Sequence, residues 1–260
     1  MTWTTRLRSD FGTLKAIRKG EGPLVLLLHG VGLRAEAWLP QIDALAKNYH
    51  VVAPDIPGHG ESELTKEITT LSDYTDLIAM ALDRSAIVAG HSMGAMIALD
   101  LAVRYPDRVS GVAALNAIFR RCSAAAAAVS ARVAQLDGKT QPDPTATLQR
   151  WFGDVISAER HACQVWLSDV NPAGYRAAYT VFAEHDGPTD DALKSLGCPS
   201  LFMTGSDEPN STPEMSWAMG KMVDEGTVSI IPDAAHMMPM THAAQTITEL
   251  QKFFRSVAHG

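Results

Sequence analysis

Gly90-His91-Ser92-Met93-Gly94 lies between the apolar run Ala86-Ile87-Val88-Ala89 and a helical stretch from Ala95 to Tyr105. A chain that passes from strand to helix in so few residues must turn sharply. The two glycines mark where strand and helix run too close for side chains, and the serine at the apex sits in a strained conformation that exposes its Oγ. At the start of the helix the Met93 N–H has no helical partner, so it can point at negative charge developing beside that serine. G-x-S-x-G also occurs by chance, as a glycine-rich turn with an incidental serine. The strand before it and the helix after it favour an exposed nucleophile.

The 260 residues can bury a full core, as one large α/β domain or as a domain with an inserted subdomain. A formal charge of −7 without a basic block argues against nucleic acid and against an anionic membrane as partners. Met1 to Arg6 carries no apolar signal region and no later stretch approaches a membrane span, so a cytoplasmic protein is expected. Cys122, Cys163 and Cys198 are odd in number and far apart, which suits packed thiols better than disulfides or zinc ligands.

Short β-branched or leucine-rich runs alternate with helical patterns, the signature of a mostly parallel, doubly wound α/β sheet. Thr2 to Arg8 and Gly12 to Arg18 predict an opening hairpin, and Leu24 to Leu28 a buried strand. Trp38, Ile42, Leu45 and Ala46 at helical spacing precede a strand at His50 to Ala53, and Leu77, Ile78, Ala81 and Leu82 predict a second helix. A helix after Ser92 stops at Pro106, and Val109 to Leu115 returns as strand. From Ala117 to Ala192 the alternation breaks into helical or irregular sequence with an alanine run at 124–128 and the aromatics Trp151, Phe152, Trp166, Tyr175, Tyr179 and Phe182. This predicts an inserted helical cap, residues 117–192, on a core of residues 1–116 and 193–260. Strands are expected again at Pro199 to Thr204 and Thr227 to Ile231, before a closing helix with Ile247, Leu250, Phe253 and Phe254.

Four further segments accompany the serine turn. They are His29-Gly30-Val31-Gly32 after the third strand, Asp55-Ile56-Pro57-Gly58-His59-Gly60-Glu61-Ser62 after the fourth, Gly205-Ser206-Asp207-Glu208-Pro209, and Ala235-His236 before Met237-Met238-Pro239. With them the chain resembles the α/β-hydrolase superfamily over roughly two-thirds of its length, in the order serine, acid, histidine. The resemblance implies an α/β-hydrolase fold and a Ser-His-acid triad. Ser92 would be the nucleophile and His236 its base, while the backbone N–H groups of Val31 and Met93 would form the oxyanion hole.

The acid departs from the family pattern. Alignment on Gly205 and Pro209 places Glu208 where an aspartate is usual, so Glu208 is favoured and Asp207 remains the alternative. Asn116 cannot serve as a charged acid. His29, His59 and His91 sit in glycine-rich turns without metal-ligand spacing, and neither a metal nor a cofactor is expected. Arg34, together with Arg120 and Arg121 at the start of the cap, could hold a substrate carboxylate, although exposed arginines are more often solvated. Trp151 and the other cap aromatics, with Met237, Met238 and Met240, suit an apolar pocket or ordinary core packing.

The expected activity is serine hydrolysis of a small ester, lactone or related acyl compound through an acyl-enzyme, with a small-molecule acyl substrate as partner. The pattern looks most like the carboxylesterase and enol-lactonase branch. A meta-cleavage C–C bond hydrolase, a cofactor-independent oxygenase or perhydrolase, and a slow-turnover ligand receptor on the same fold are the alternatives.

Overall fold

The leucine run 24–28 alternates between two hydrophobic cores, which is what a strand covered by helices on both faces requires. In the computed structural model, which describes residues 3–65 and 68–259, this strand is β3 (Leu24–Leu28). It stands among β1 (Ser9–Phe11), β2 (Leu14–Lys19), β4 (His50–Pro54), β5 (Ala86–His91), β6 (Val109–Leu115), β7 (Ser200–Gly205) and β8 (Gly226–Ile231). The sheet order is β1-β2-β4-β3-β5-β6-β7-β8. Only the β1/β2 and β2/β4 pairs are antiparallel. The rest run parallel, with Leu28 beside Gly90 and Gly90 beside Ala114.

Leu24, Leu26 and Leu28 pack with Tyr74 and Ile78 of α2 (Leu71–Ala81), Ala95 and Leu99 of α3 (Met93–Arg104), and Met219 of a later helix, Pro213–Gly220. Val25 and Leu27 face the other way, onto Ile42 and Leu45 of α1 (Leu39–Leu45) and Leu250 and Phe254 of the closing helix, Ala243–His259. Each fully buried leucine stabilises the fold by about 1.5–3 kcal/mol.

Between β6 and β7 come α4 (Ser123–Val133), α5 (Thr145–Phe152), α6 (Ala158–Asp169), α7 (Pro172–Glu184) and α8 (Asp190–Lys194). Trp151, Trp166, Leu167, Tyr175 and Tyr179 from these helices pack with Leu33 after β3 and with Met237 and Met240. The helices therefore lie over the carboxyl ends of the strands. The last of them runs to Lys194, past the expected limit at 192, because Leu193 and Leu196 enter the sheet-side core. Numbered onward, the remaining helices are α9 (Pro213–Gly220), α10 (Met238–Thr241) and α11 (Ala243–His259).

The opening hairpin departs from expectation. Thr2 lies outside the described residues, and Trp3 to Arg8 form no strand. Their polar groups go instead to buried carboxylates. The Arg6 N–H donates to Glu36 at 2.9 Å, and the fully buried Arg8 guanidinium donates to both oxygens of Glu36 and, at 3.0 and 3.3 Å, to Asp55. Burial alone would lower the Arg8 pKa, but the two acids outweigh it and hold it above the ordinary value. Asp55 in turn accepts from the N–H groups of Ala35 at 2.7 Å and Glu61 at 2.9 Å, so this network fixes the turns after β3 and β4 together.

Trp38 belongs to a 3-10 turn, Ala35–Trp38, and the α-helix starts only at Leu39, with Pro40 in its first turn where a missing N–H costs nothing. Cys163 and Cys198 are buried and Cys122 is exposed, all as free thiols. Among the described residues no helix is long and apolar enough to cross a membrane.

Candidate active site

β5 ends at His91 and α3 begins at Met93, so Ser92 alone makes the turn, at φ 57° and ψ −119°. A side-chain-bearing residue adopts that conformation only under strain. A Cβ on Gly90 would lie 2.0 Å from the Gly94 carbonyl oxygen, and one on Gly94 2.2 Å from that of Leu28. The turn is thus closed backbone against backbone, and the Ser92 N–H donates to the Leu115 carbonyl at 2.8 Å, tying the apex to β6.

Met93 is the first residue of α3, where the N–H has no partner within its own helix. The other segment expected to supply a donor is the turn after β3, in which the Leu33 N–H donates to the Gly30 carbonyl at 3.2 Å and Gly32 adopts φ 75°. Val31, inside that turn, lines the same cavity as Ser92.

His236 follows β8, and its Nδ1 donates to Glu208 Oε2 at 2.9 Å. A carboxylate only accepts, so this contact places the proton on Nδ1 and leaves the Nε2 lone pair as a base. Glu208 is 2% exposed, and its Oε1 accepts from the N–H groups of Asn210 at 2.8 Å and Ser211 at 3.2 Å. Burial raises the pKa of this carboxyl. The charge and hydrogen bond of His236, with the two backbone donors, outweigh burial and hold it down at about 2. Asp207 is exposed, and among the described residues its carboxylate accepts only from the Ser206 hydroxyl, at 2.9 Å. Of the two acids, Glu208 is the one brought to His236.

A depressed carboxyl pKa links this contact to stability. Glu208 stabilises the fold above the ordinary glutamate pKa, and the contribution fades as the pH falls from there towards 2. Its expected size is about 3 kcal/mol. Urea unfolding at pH 7 and pH 3 should therefore show a smaller acid loss for Glu208→Gln than for the wild type, and equal losses would remove Glu208 from the acid transition.

Two of the three turn histidines hold this geometry. His91 Nε2 donates to the His236 carbonyl at 2.7 Å, and its ring lies 4.9 Å from that of His236. Burial pushes the His91 pKa down to about 3, so the ring is neutral. His29 Nδ1 donates to the Gly30 carbonyl at 2.8 Å, while its Nε2 accepts the Ile56 N–H at 3.0 Å. His59 Nδ1 donates to the Pro57 carbonyl at 3.1 Å. Among the described residues no three metal-ligating side chains gather.

Ser92 and His236 open into a cavity of about 80 Å³. Its outer wall comes from the helices between β6 and β7: Ala125 and Val129 of α4, Thr147, Arg150 and Trp151 of α5, and Tyr175, Tyr179 and Phe182 of α7. Trp151 stacks on the His236 ring at 5.6 Å and 20°. Arg34 is not part of this wall; its Nε donates to Glu36 at 3.0 Å, and the demand of that buried acid explains its place. Arg120 is also absent from the wall and pairs on the surface with Asp190. Arg121 does line the cavity, with its guanidinium donating to the Phe182 carbonyl at 3.1 Å and lying 3.3 Å from Asp186.

Arg150, not among the residues expected from the sequence, lines the cavity from the exposed side of α5. It makes no hydrogen bond or ion pair with a described residue. The spacing of Thr147, Arg150 and Trp151, at i, i+3 and i+4, was the signal that could have found it. Among the described residues no carboxylate lines the cavity.

A model of the alpha/beta hydrolase family matches residues 25–249. The chain is 38% identical over 241 residues, 90% of either chain, to (E)-2-((N-methylformamido)methylene)succinate hydrolase of Acinetobacter baylyi. It superposes on a malate-bound thermophilic esterase from Thermogutta terrifontis with a TM-score of 0.84 and 26% identity, covering 97% of this chain and 99% of that one. The enol-lactonase of Burkholderia xenovorans LB400, at 21% identity and a TM-score of 0.81 over 96% and 100% of the two chains, shares the fold.

Proposed function

The chain belongs to the alpha/beta hydrolase family and is an enzyme of the hydrolase class; from that premise we propose that it is a serine hydrolase of a small acyl compound. In this reading Ser92 is the nucleophile, His236 the base, Glu208 the triad acid, and the N–H groups of Val31 and Met93 the oxyanion hole. The observation that carries it is that Ser92, at its strained turn, and His236, held by Glu208, line one cavity. Residues 117–192 act as the cap that shapes that cavity.

His236 Nε2 takes the Ser92 proton as Oγ attacks the acyl carbon, and the two N–H groups receive the charge that develops on the acyl oxygen. Collapse of the tetrahedral intermediate breaks the bond to the leaving atom, which takes the same proton from His236. Water then attacks the acyl-serine, again giving up a proton through His236, and the acid leaves as Ser92 regains its hydrogen.

Within esters, lactones and related acyl compounds, the reading narrows to N-acyl aminomethylene dicarboxylates. The Acinetobacter relative is named for such a compound, and the Thermogutta esterase holds malate, also a dicarboxylate. Arg121 and Arg150, in a wall free of carboxylates, supply positive charge for one.

Quenched turnover of 2-(acetamidomethylene)succinate should leave an acetyl group on Ser92 by intact-protein and peptide mass spectrometry. The dicarboxylate should exceed its uncharged counterpart in kcat/KM by about tenfold to a hundredfold, a preference that Arg150→Ala reduces. Turnover without a Ser92 adduct, even under rapid quench, and without preference for the dicarboxylate would sink the proposal.

A further inference from the structure

Asn116 directly follows β6 at φ 52°, is 1% exposed, and lines the cavity with Ser92 and His236. Its Nδ2 donates to Thr204 Oγ1 at 3.2 Å and approaches Glu208 Oε2 at 3.4 Å. The Thr204 hydroxyl donates its only hydrogen to the Ser211 carbonyl at 2.7 Å, so towards Asn116 it can only accept. The Glu208 carboxylate likewise only accepts. Both neighbours therefore fix the amide with its nitrogen towards them, and a flipped amide would set oxygen against oxygen. The Asn116 oxygen is left buried without a donor, in a residue that lines the cavity. An unmet buried acceptor is costly, and among the described residues lining this cavity no other buried side-chain atom lacks a partner.

Resting on the serine-hydrolase reading above, we infer that Asn116 Oδ1 accepts the N–H of a scissile secondary amide and selects such amides over N-alkylated ones. When Ser92 adds to an amide, the nitrogen changes from planar to pyramidal. Its lone pair must then face His236 to take the proton, which turns its N–H to another side. An acceptor waiting there holds the nitrogen in the productive configuration and acts more strongly in the transition state than in the planar ground state. An N-methyl amide has no hydrogen to offer. The Acinetobacter relative is named for an N-methylated compound; on this inference the present chain differs from it and prefers the compound that lacks the methyl group.

The test compares kcat/KM for 4-nitroacetanilide and N-methyl-4-nitroacetanilide, and for 2-(acetamidomethylene)succinate and its N-methyl derivative, in wild type, Asn116→Gly and Asn116→Ala. Glycine accepts φ 52° without strain, so one variant keeps the backbone relaxed. Wild type should favour each N–H compound by about tenfold or more, and the variants should lose about tenfold on it beyond any loss shared with the N-methyl compound. The shared loss reads the contact with Glu208; the ratio reads the acceptor.

A wild-type ratio near one or in favour of the N-methyl compound overturns the inference, and does so even if neither variant folds. So does a ratio that survives in both variants, or one that closes only because the N-methyl compound gains from the added space. Turnover of the anilides with the expected ratio but not of the succinates leaves the acceptor in place and removes the dicarboxylate reading. Acylation by 4-nitrophenyl acetate with no turnover of either amide pair overturns the inference and leaves the serine mechanism standing.

Discussion

Ser92→Ala should lower kcat by about 10^6 while leaving the protein folded, because on the proposed mechanism Ser92 forms the acyl-enzyme and the nucleophile of a triad acts as a unit with its base. The fold should tolerate the change. Alanine keeps the Cβ, so the strain at φ 57° is the same before and after, and the contact that anchors the turn is the main-chain N–H to Leu115. The glycines that let strand and helix meet are untouched. The measurement is kcat on a small activated ester beside a thermal melt, and the melt should shift by no more than about 1 kcal/mol in stability. Activity within tenfold of wild type in a folded variant would remove Ser92 from the mechanism.

Glu208→Gln should be the next most damaging, lowering kcat by about 10^4, as for an equivalent carboxylate-to-amide change. The surroundings explain why an amide cannot substitute. His236 Nδ1 and Asn116 Nδ2 approach one oxygen of Glu208, and the N–H groups of Asn210 and Ser211 donate to the other. Whichever way the glutamine turns, its NH2 group meets donors. Facing His236 it forces the wrong tautomer, and facing the 210–211 backbone it leaves two N–H groups unpaired. A loss of roughly 1–3 kcal/mol in stability should accompany the loss of activity. Asp207→Asn should leave kcat within about threefold, since a surface substitution remote from the reacting groups changes little. Equal losses in the two variants, or a larger loss for Asp207→Asn, would reverse the assignment of the acid.

The parallel sheet was legible because its strands are short, apolar runs with turn residues between them: Leu24–Leu28 and Val109–Leu115 fall where the sequence put them. Two elements were not legible, each for its own reason. Trp3 to Arg8 alternate like an edge strand, but their partners are carboxylates 28 to 47 residues away, which no local pattern reveals. Helix α9 is hidden behind Pro209-Asn210-Ser211-Thr212-Pro213, a run that reads as loop until Pro213 is seen to start the helix. At the site, motif order marks Ser92 and His236 as candidates and favours Glu208, but leaves Asp207 as an alternative until the contact of Glu208 with His236 is seen. The side chains of the cavity wall were not so legible: Arg34 carries the same charge as Arg150, and only the position of Glu36 decides which of them is free to face a ligand.

The Arg8 network also constrains how the chain can diverge. The Arg8 guanidinium bridges two buried acids, Glu36 and Asp55, with Arg34 as a second cation on Glu36, and those acids hold the turns that carry Val31 and Gly60. Loss of Arg8 alone would strand Asp55 in the interior and leave Glu36 to Arg34, and loss of one acid would leave Arg8 half-compensated. The three positions are therefore heritable only as a block. A descendant that abandons one must replace all three, and must find another way to pin the turn that presents Val31 to the cavity.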